Sequence, residues 1–572
     1  MPPPKRSQKQ KPITRSTKFA TARKATRSLD SKVGGWLRTR WKWVLAAIVA
    51  LHVVLAFLVL QPAPHTGGDN AGYLTLAKSL LERQQYRDLY DPTEPPHTQY
   101  PPVFPAILAL ALTLGLKPWL HLKLLAIAFS ALAVSFSYLW IRRHGRPELA
   151  SGVALMLAVS PGVLAQSFWE LSDVPFWAMT MIAVWAWQRL PADLQGRFLL
   201  AVVMSTLAYF TRSAGLPLLV AAAAWLGWRR RWTQLALFAA VVVPLAALWW
   251  WRARAQGGVD YVSQFWFINP YDPALGRIDI GGLFARIGDN GGRYLTRHLP
   301  ILLFGVEGLL PLGLIVTALA LYGWLNRVRR PGIGELFLPL YIGLILIWPA
   351  VWSGERFLLP ALPFLLFFAG DGLTRLVRMV ARNSARAAGA FAVAIAILIG
   401  TPATSEAIRI GTACMSEYRA GERYACLPEP WKDYFAIAQL APRILPAGSA
   451  VLSRKARSFY IIGGVPGRQY PLSADPEQFF QEAAAARARY VVFDGLDGLS
   501  SNYLAPVLMS RPDAFCILFS LGEQRAVVFG ITGQAAAQGA PVADTSFRQC
   551  GDEYWRSPAV KDSLYRGLIP LR

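Results

Sequence analysis

Charged residues are scarce in this chain, and cysteines are scarcer still. Only 16% of its 572 residues are charged, whereas 54% are hydrophobic, and the mean hydropathy is +0.32. A water-soluble protein of this length cannot bury so much apolar surface, which excludes a string of soluble domains. Four cysteines are too few for a disulfide scaffold. The class that remains is a polytopic membrane protein.

The sequence also lacks the G-x-x-x-x-G-K-S/T motif that cradles ATP phosphates. Because the predicted cytoplasmic segments are short as well, ATP-driven transport by this chain alone is excluded. The net charge of +25 does not indicate a nucleic-acid partner. Residues 1–42 hold thirteen Lys/Arg and one acid, and most of the remaining excess lies in short runs between apolar segments. That distribution is typical of a membrane protein.

Eleven apolar segments predict membrane spans, since about 20 apolar residues cross a bilayer as a helix. The basic segment 1–42, rich in Pro, Ser and Thr, is predicted to be a disordered cytoplasmic tail. An odd number of spans then places the carboxyl terminus outside. The predicted spans are 43–60, 119–141, 148–165, 174–190, 198–211, 214–228, 232–251, 300–325, 333–351, 357–374 and 387–402.

The charges of the loops agree with this topology. Residues 61–102 hold five acids and three bases, whereas the predicted inner loops are rich in arginine. Pro102–Leu116 is apolar but short, so it predicts an interfacial helix rather than a span. The Ala- and Arg-rich composition favours a bacterial inner membrane. Within the transmembrane domain 43–402, the predicted outer loops are 61–118, 166–173 and 252–299.

Residues 403–572 differ in composition from the rest. Short β-rich runs alternate with Ala-rich helical runs, which predicts an extracytoplasmic α/β domain. All four cysteines lie there, where an oxidising compartment preserves disulfides. Proximity favours one pairing, and four buried thiols are the alternative. The favoured pairs are Cys414–Cys426 and Cys516–Cys550.

Asp69 is the first candidate for chemistry. It follows two glycines and precedes a helical stretch, so an N-cap is its ordinary structural interpretation. The alternative is a general base, because a carboxylate that loses water at the membrane edge has a raised pKa.

Two acids and two arginines on the predicted outer side are further candidates. Glu170 and Asp173 fit a polar turn, a site for a divalent cation, or partners of a buried arginine. Arg212 and Arg356 lie at helix ends where arginine is disfavoured. They suit a phosphate clamp, and extension towards lipid headgroups is the alternative.

Five motifs in this order carry a resemblance to a known family. The pattern D-N-x-x-Y-x-x-x-A-K is met at residues 69–78, and QYPPVFPAILAL, ELSDVPF, TRSAGLPLLV and ERFLLPALP follow it. Together they resemble the GT-C glycosyltransferases. The similarity is to the branch of aminoarabinose transferases and dolichyl-phosphate-mannose protein mannosyltransferases, and it covers about residues 43–375.

The resemblance implies an enzyme that moves a sugar from a polyprenyl-phosphate donor to an extracytoplasmic lipid, glycan or protein, usually with inversion. It implies that Asp69 is the base or positions the acceptor; many relatives have a second acid where this chain has Asn70. Arg212 and Arg356 would then stabilise the leaving phosphate, alone or with a divalent cation held by Asp173 or Glu170. The helices of loop 61–118 would cradle the prenyl chain, with Tyr73 and Tyr100 contacting acceptor or lipid.

Two other function classes fit the same charges. A transporter or flippase of lipid-linked sugars would use the acids and arginines to bind its cargo, without catalysing a reaction. Against it, the sequence has no pair of matching halves with broken helices, which transporters often show. A non-catalytic assembly protein would use the tail to bind a partner.

Overall fold

The computed structural model describes residues 34–188, 196–257, 264–272, 275–381, 385–522, 526–532 and 547–566. Most of the predicted basic tail, 1–33, therefore lies outside the described residues. Residues 34–39 are helical, and the first long helix begins at Trp41. The helix thus starts two residues before the predicted span, because Trp41 and Trp43 already belong to the apolar run.

The part of the chain that precedes the tail is almost entirely helical. In chain order, helices α1 to α16 are Trp41–Leu58, Asp69–Arg83, Val103–Thr113, Leu120–Arg142, Pro147–Val159, Pro161–Gln166, Asp173–Trp187, Gly196–Thr211, Leu216–Trp228, Trp232–Ala255, Ile280–Arg293, Leu299–Phe304, Leu310–Leu325, Ile333–Ile347, Leu362–Val380 and Ala385–Arg419.

Four helices of the described residues are long and apolar enough to cross a membrane, and six shorter apolar helices accompany them. The four are α1, α4, α10 and α16. Two predicted spans are interrupted: 148–165 breaks at Pro161, and 300–325 breaks at Gly305, which has a φ of 71°. These helices make the chain a membrane protein, while the number of eleven spans stays a prediction.

Helix α7 lies at the centre of the helical part. Nearly all of its side chains are buried, including Trp177 and Trp187. Beside it, α13 crosses α15 with unusually close backbones. Gly323 lies against the backbone at Phe368, and a Cβ at this position would overlap backbone atoms. Small residues allow helices in a membrane to approach in this way. The packing of α7 holds Asp173, its first residue, in place.

The last helix of this part, α16, continues well past the predicted span. It runs for 35 residues through Pro402 to Arg419, so the predicted domain boundary at 402 falls inside it. At 1.5 Å per residue it is about 50 Å long, which exceeds the thickness of a hydrocarbon core. Its final turns therefore extend beyond the bilayer. There Cys414 is joined to Cys426.

The tail contains a five-stranded sheet with the order β2-β1-β3-β5-β4. Strands β1, β2 and β3 are parallel, and β5 runs antiparallel to β3 and β4. A disulfide joins Cys516 of β4 to Cys550. Both disulfides are the pairs that proximity in the sequence favours. Strands β1 to β5 are Val451–Leu452, Gly467–Arg468, Tyr490–Phe493, Phe515–Leu521 and Ala526–Ile531, and helices α17 to α21 are Glu429–Ile444, Ala456–Gly463, Pro476–Ala485, Ala505–Ser510 and Pro558–Tyr565.

The sheet docks onto the loop between α2 and α3. The backbone N–H of Gly467 donates to the carbonyl of Tyr90 at 2.7 Å. Arg468 reaches Asp91 through two contacts of 2.6 and 3.1 Å. Ligands of parallel sheets bind at the carboxyl ends of the strands. This docking turns the carboxyl ends of β1 and β2 towards the helical part.

The two disulfides give a test of this arrangement. The bond between Cys516 and Cys550 spans 34 residues, and that between Cys414 and Cys426 spans 12. A loop of about 34 residues contributes roughly 3–4 kcal/mol to the free energy of unfolding in the chain-entropy description. We expect C516S/C550S to lower the unfolding temperature in calorimetry more than C414S/C426S does. A larger drop in the unfolding temperature of C414S/C426S would contradict the expectation that the disulfide closing the longer loop stabilises the protein more.

Candidate active site

Asp69 is the first residue of α2, and its carboxylate faces a cavity. Gly68 before it has a φ of 93°, a conformation that favours glycine. Gly68 is the N-cap residue and Asp69 is already the first residue of the helix, so the N-cap interpretation is wrong. Instead Oδ1 accepts a hydrogen bond from the Tyr100 hydroxyl at 2.9 Å, and Oδ2 accepts one from Arg356 at 3.1 Å.

Tyr100 is itself held from two sides. Its hydroxyl accepts a hydrogen bond from Arg457 at 2.9 Å, and its backbone N–H donates to Nε2 of His97 at 2.7 Å. Nδ1 of His97 lies 2.9 Å from the carboxylate of Asp88. Because Nε2 accepts, the imidazole is neutral and donates from Nδ1. Burial lowers the pKa of His97 more than the nearby Asp88 raises it, which agrees with a neutral imidazole. Tyr100 thus links the tail to Asp69.

A second group of side chains surrounds Asp173. Its Oδ1 lies 2.8 Å from Arg212, and its Oδ2 lies 3.8 Å from Arg356. Arg212 also donates to the hydroxyl of Ser172 at 3.0 Å, which lies 2.8 Å from the hydroxyl of Tyr73. Since Arg356 contacts both Asp69 and Asp173, the two groups form one network.

Glu170 lies apart from this network. Its Oε1 is 3.1 Å from Nζ of Lys123, and both side chains are fully buried. The ammonium also lies 4.1 Å from the centre of the Trp169 ring. Burial raises the pKa of Glu170, against the charge of Lys123. Of the three predicted interpretations of Glu170, a partner for a buried arginine agrees best with the structure, although the buried basic residue is a lysine.

The predicted cation does not fit the described residues. Among them, no cluster of three or more His, Cys, Asp or Glu side chains has the spacing of a metal site. A cation at Asp173 would lie beside the guanidinium groups of Arg212 and Arg356, which would repel it. Glu170 is already paired with Lys123.

The network opens into a cavity of about 690 Å³ between the helical part and the tail. One wall is apolar and includes Leu344, Ile345 and Trp348. Three acids and six basic residues also line it, so it is positively charged overall. The acids are Asp69, Asp91 and Glu482, and the basic residues are Arg212, Arg356, Arg454, Lys455, Arg457 and Arg468.

The tail supplies four of these six basic residues, and the sequence analysis identified none of them. Arg454, Lys455 and Arg457 follow the carboxyl end of β1, and Lys455 donates to the carbonyl of Gly67 at 3.2 Å. The run SRKAR at 453–457 is the signal that was available, because three basic residues in five concentrate positive charge that attracts an anionic ligand. Lys123 also carried a signal, since an ionisable side chain within a predicted span is costly and often functional.

The electrostatics of Asp69 differ from the expectation for a buried base. Burial raises the pKa of its carboxyl. The charge of Arg356, the hydrogen bonds from Tyr100 and Arg356, and the charge of Arg457 outweigh that effect and leave the pKa below its ordinary value. The positive end of α2 acts in the same direction. The prediction of a raised pKa was therefore wrong for this structure, and Asp69 is ionised at neutral pH.

Known proteins resemble this chain in structure but not detectably in sequence. No family model and no curated protein sequence matches it. The structure of ArnT from Cupriavidus metallidurans bound to undecaprenyl phosphate superposes with a TM-score of 0.54 at 15% identity, covering 87% of this chain and 99% of that one. The archaeal oligosaccharyltransferase AglB from Archaeoglobus fulgidus, in complex with an inhibitory peptide and a dolichol-phosphate, gives 0.52 at 13% identity, covering 93% and 78%.

These identities are too low to carry an activity from one protein to another. The likeness spans nearly all of this chain, however, and it includes both the helical part and the tail. The chain therefore shares its fold with these two structures, in agreement with the resemblance that its motifs carry.

The lowered pKa of Asp69 can be measured. In R356Q the carboxylate loses a charge and a hydrogen bond, so we expect the pKa of Asp69 to rise. Infrared titration, with D69N subtracted to isolate the carboxyl band, reports this pKa. The carboxylate should then protonate at a higher pH in R356Q than in the wild type. R293Q, an exposed arginine, is the matched control and should leave the pKa unchanged; equal pKa values in R356Q and wild type would contradict the network.

Proposed function

We propose that this protein is an integral-membrane glycosyltransferase that moves a sugar from a polyprenyl-phosphate donor to an extracytoplasmic acceptor. One observation carries the proposal: an ionised carboxylate lines a cavity that is lined by six basic side chains and by a set of apolar ones. A polyprenyl phosphate has an anionic head and an apolar chain, so it matches both kinds of lining. The structure of ArnT contains undecaprenyl phosphate and that of AglB contains a dolichol-phosphate, which supports this donor class.

The chemistry needs no acid to protonate the leaving group. When the bond between the sugar C1 and the phosphate oxygen breaks, negative charge grows on the departing polyprenyl phosphate. Arg212 and Arg356 lie where they can receive that charge through preorganised N–H groups. Fixed arginines stabilise the transition state more than the ground state if the charge is largest there. We assign them to the donor phosphate.

Asp69 accepts the proton of the acceptor hydroxyl while the hydroxyl oxygen forms its bond to the sugar C1. Attack from the face opposite to the phosphate inverts the configuration of the sugar. The low pKa makes Asp69 a weak base in the free protein. A donor phosphate that draws Arg356 towards itself weakens the hold of this arginine on Asp69, which raises the basicity of the carboxylate. Donor binding would then prepare the base.

The contacts of Tyr73 and Tyr100 with acceptor or lipid stay a prediction. Both line the cavity, but their hydroxyl groups are engaged by Ser172 and Asp69. We assign Tyr100 to holding Asp69 in position and Tyr73 to holding the Ser172–Arg212 contact. The acceptor, whether a lipid, a glycan or a protein, enters beside the tail. In this proposal the cavity faces the outside of a bacterial inner membrane, and the amino terminus is cytoplasmic.

Release of polyprenyl phosphate tests the proposal. Purified protein is incubated with a panel of radiolabelled polyprenyl-phosphate sugars and membrane extract as the source of acceptor. We expect sugar-dependent release by the wild type and a loss of about 10²–10⁴-fold in D69N, which is the usual contribution of a general base. D289N removes an exposed carboxylate of α11 and should retain full activity.

Other outcomes would contradict parts of the proposal. Release that survives in D69N would move the base away from Asp69. Transport of the lipid-linked sugar across reconstituted vesicles, with no release by any donor and no effect of D69N, would instead support a transporter. Release by a variant without residues 420–572 would contradict the contribution of the tail to the site.

A further inference from the structure

A second cavity, of about 650 Å³, lies at the other end of the helical part. Helices α7 and α14 each reach both cavities. Asp173 at the start of α7 contacts two arginines of the first cavity, and Trp187 at its end lines the second. At 1.5 Å per residue these positions are about 20 Å apart. The second cavity is therefore separate from the site of Asp69.

The second cavity has a buried floor and a charged rim. Trp140, Trp187 and Glu335 are buried at its base. Arg229, Arg329 and Arg330 are exposed around it. Arg229 and Arg231 of one loop thus share a concave surface with the arginines of a second loop, 326–332. Arginines that served only to orient the chain in the membrane would not need to surround a cavity.

Positive charge dominates this cavity. Five arginines line it, whereas Glu335 is the single acid among the described residues that do so. Glu335 is occupied, since its Oε1 lies 3.1 Å from Nε of Arg327. Arg327 also donates to Nδ1 of His144 at 2.8 Å. The five are Arg229, Arg231, Arg327, Arg329 and Arg330.

Two of the other four arginines lie beside an aromatic side chain. The guanidinium carbons of Arg229 and Arg231 lie 5.9 and 5.6 Å from the centre of the Trp225 ring. Arg327 is fixed by Glu335, so its position does not depend on a ligand. One guanidinium group can donate two parallel hydrogen bonds to phosphate oxygens. A cavity with several guanidinium groups therefore suits a phosphate group.

We propose that this cavity binds a phosphate group, and that membrane phospholipid with an anionic headgroup is its main source. Basic pockets between membrane helices bind anionic headgroups, and five arginines line this cavity. Soluble phosphate shares the recognised chemistry and is the other source. The site does not depend on the proposed transfer reaction, because it uses no residue of the first cavity.

The test compares two triple variants with the same loss of charge. R229Q/R329Q/R330Q removes three arginines of the rim but leaves Arg327 with its partners. R40Q/R230Q/R378Q is the matched control, since these three arginines are exposed and do not line the cavity. Native mass spectrometry measures retention of phosphatidylglycerol against phosphatidylcholine, and equilibrium dialysis measures binding of ³²P-labelled inorganic phosphate. Unfolding temperatures show whether each variant is folded.

We expect the wild type and the control to retain phosphatidylglycerol in preference to phosphatidylcholine. The rim variant should lose at least about tenfold in that preference, because three arginines that attract the anionic headgroup are removed. A selective loss of inorganic phosphate binding would also support the site, with soluble phosphate as its source. D289N removes an exposed carboxylate that lines neither cavity, and it should behave as the wild type in both assays. Equal behaviour of the rim variant and the control in both assays would overturn the proposal.

Discussion

The position of Arg356 between Asp69 and Asp173 is the interaction on which the site depends. Its two contacts, at 3.1 and 3.8 Å, join the start of α2 to the start of α7. A partly buried guanidinium needs such partners, because removal from water is costly for an unpaired charge. The same contacts hold the pKa of Asp69 below its ordinary value. Charge balance at this arginine thus sets both the geometry and the protonation state of the cavity.

The tail completes this balance from the other side. Arg457 reaches Asp69 through the hydroxyl of Tyr100, and Arg468 fastens the sheet to Asp91. The carboxyl ends of β1 and β2 therefore supply positive charge to a cavity whose acid comes from the helical part. An anionic ligand would find more cations than the acids can neutralise. This excess, together with the apolar wall, favours a lipid-linked phosphate over a neutral sugar as the ligand of the free protein.

Much of this arrangement could be predicted from the sequence, for identifiable reasons. Arg212 and Arg356 were found because arginine is unusual on an outer surface, and Asp69 because an acid at a membrane edge is unusual. The lowered pKa of Asp69 could not be predicted, since burial is visible in a hydropathy pattern but the approach of Arg457 from 388 residues away is not. The pairing of Lys123 with Glu170 was missed because the two residues lie in separate segments, a predicted span and a predicted outer loop. The extension of α16 past 402 was missed because the apolar run ends there and Pro402, a residue type that usually breaks a helix, lies inside the observed helix.

Binding of undecaprenyl phosphate to the purified protein tests most directly whether the arginine network is the donor site. The account predicts that R212Q and R356Q each weaken binding about tenfold or more, which is the usual effect of losing a hydrogen bond to a charged group. R293Q, which removes an exposed arginine outside the cavity, should bind as the wild type does. Wild-type affinity in both R212Q and R356Q would contradict the account, because the phosphate would then lie elsewhere.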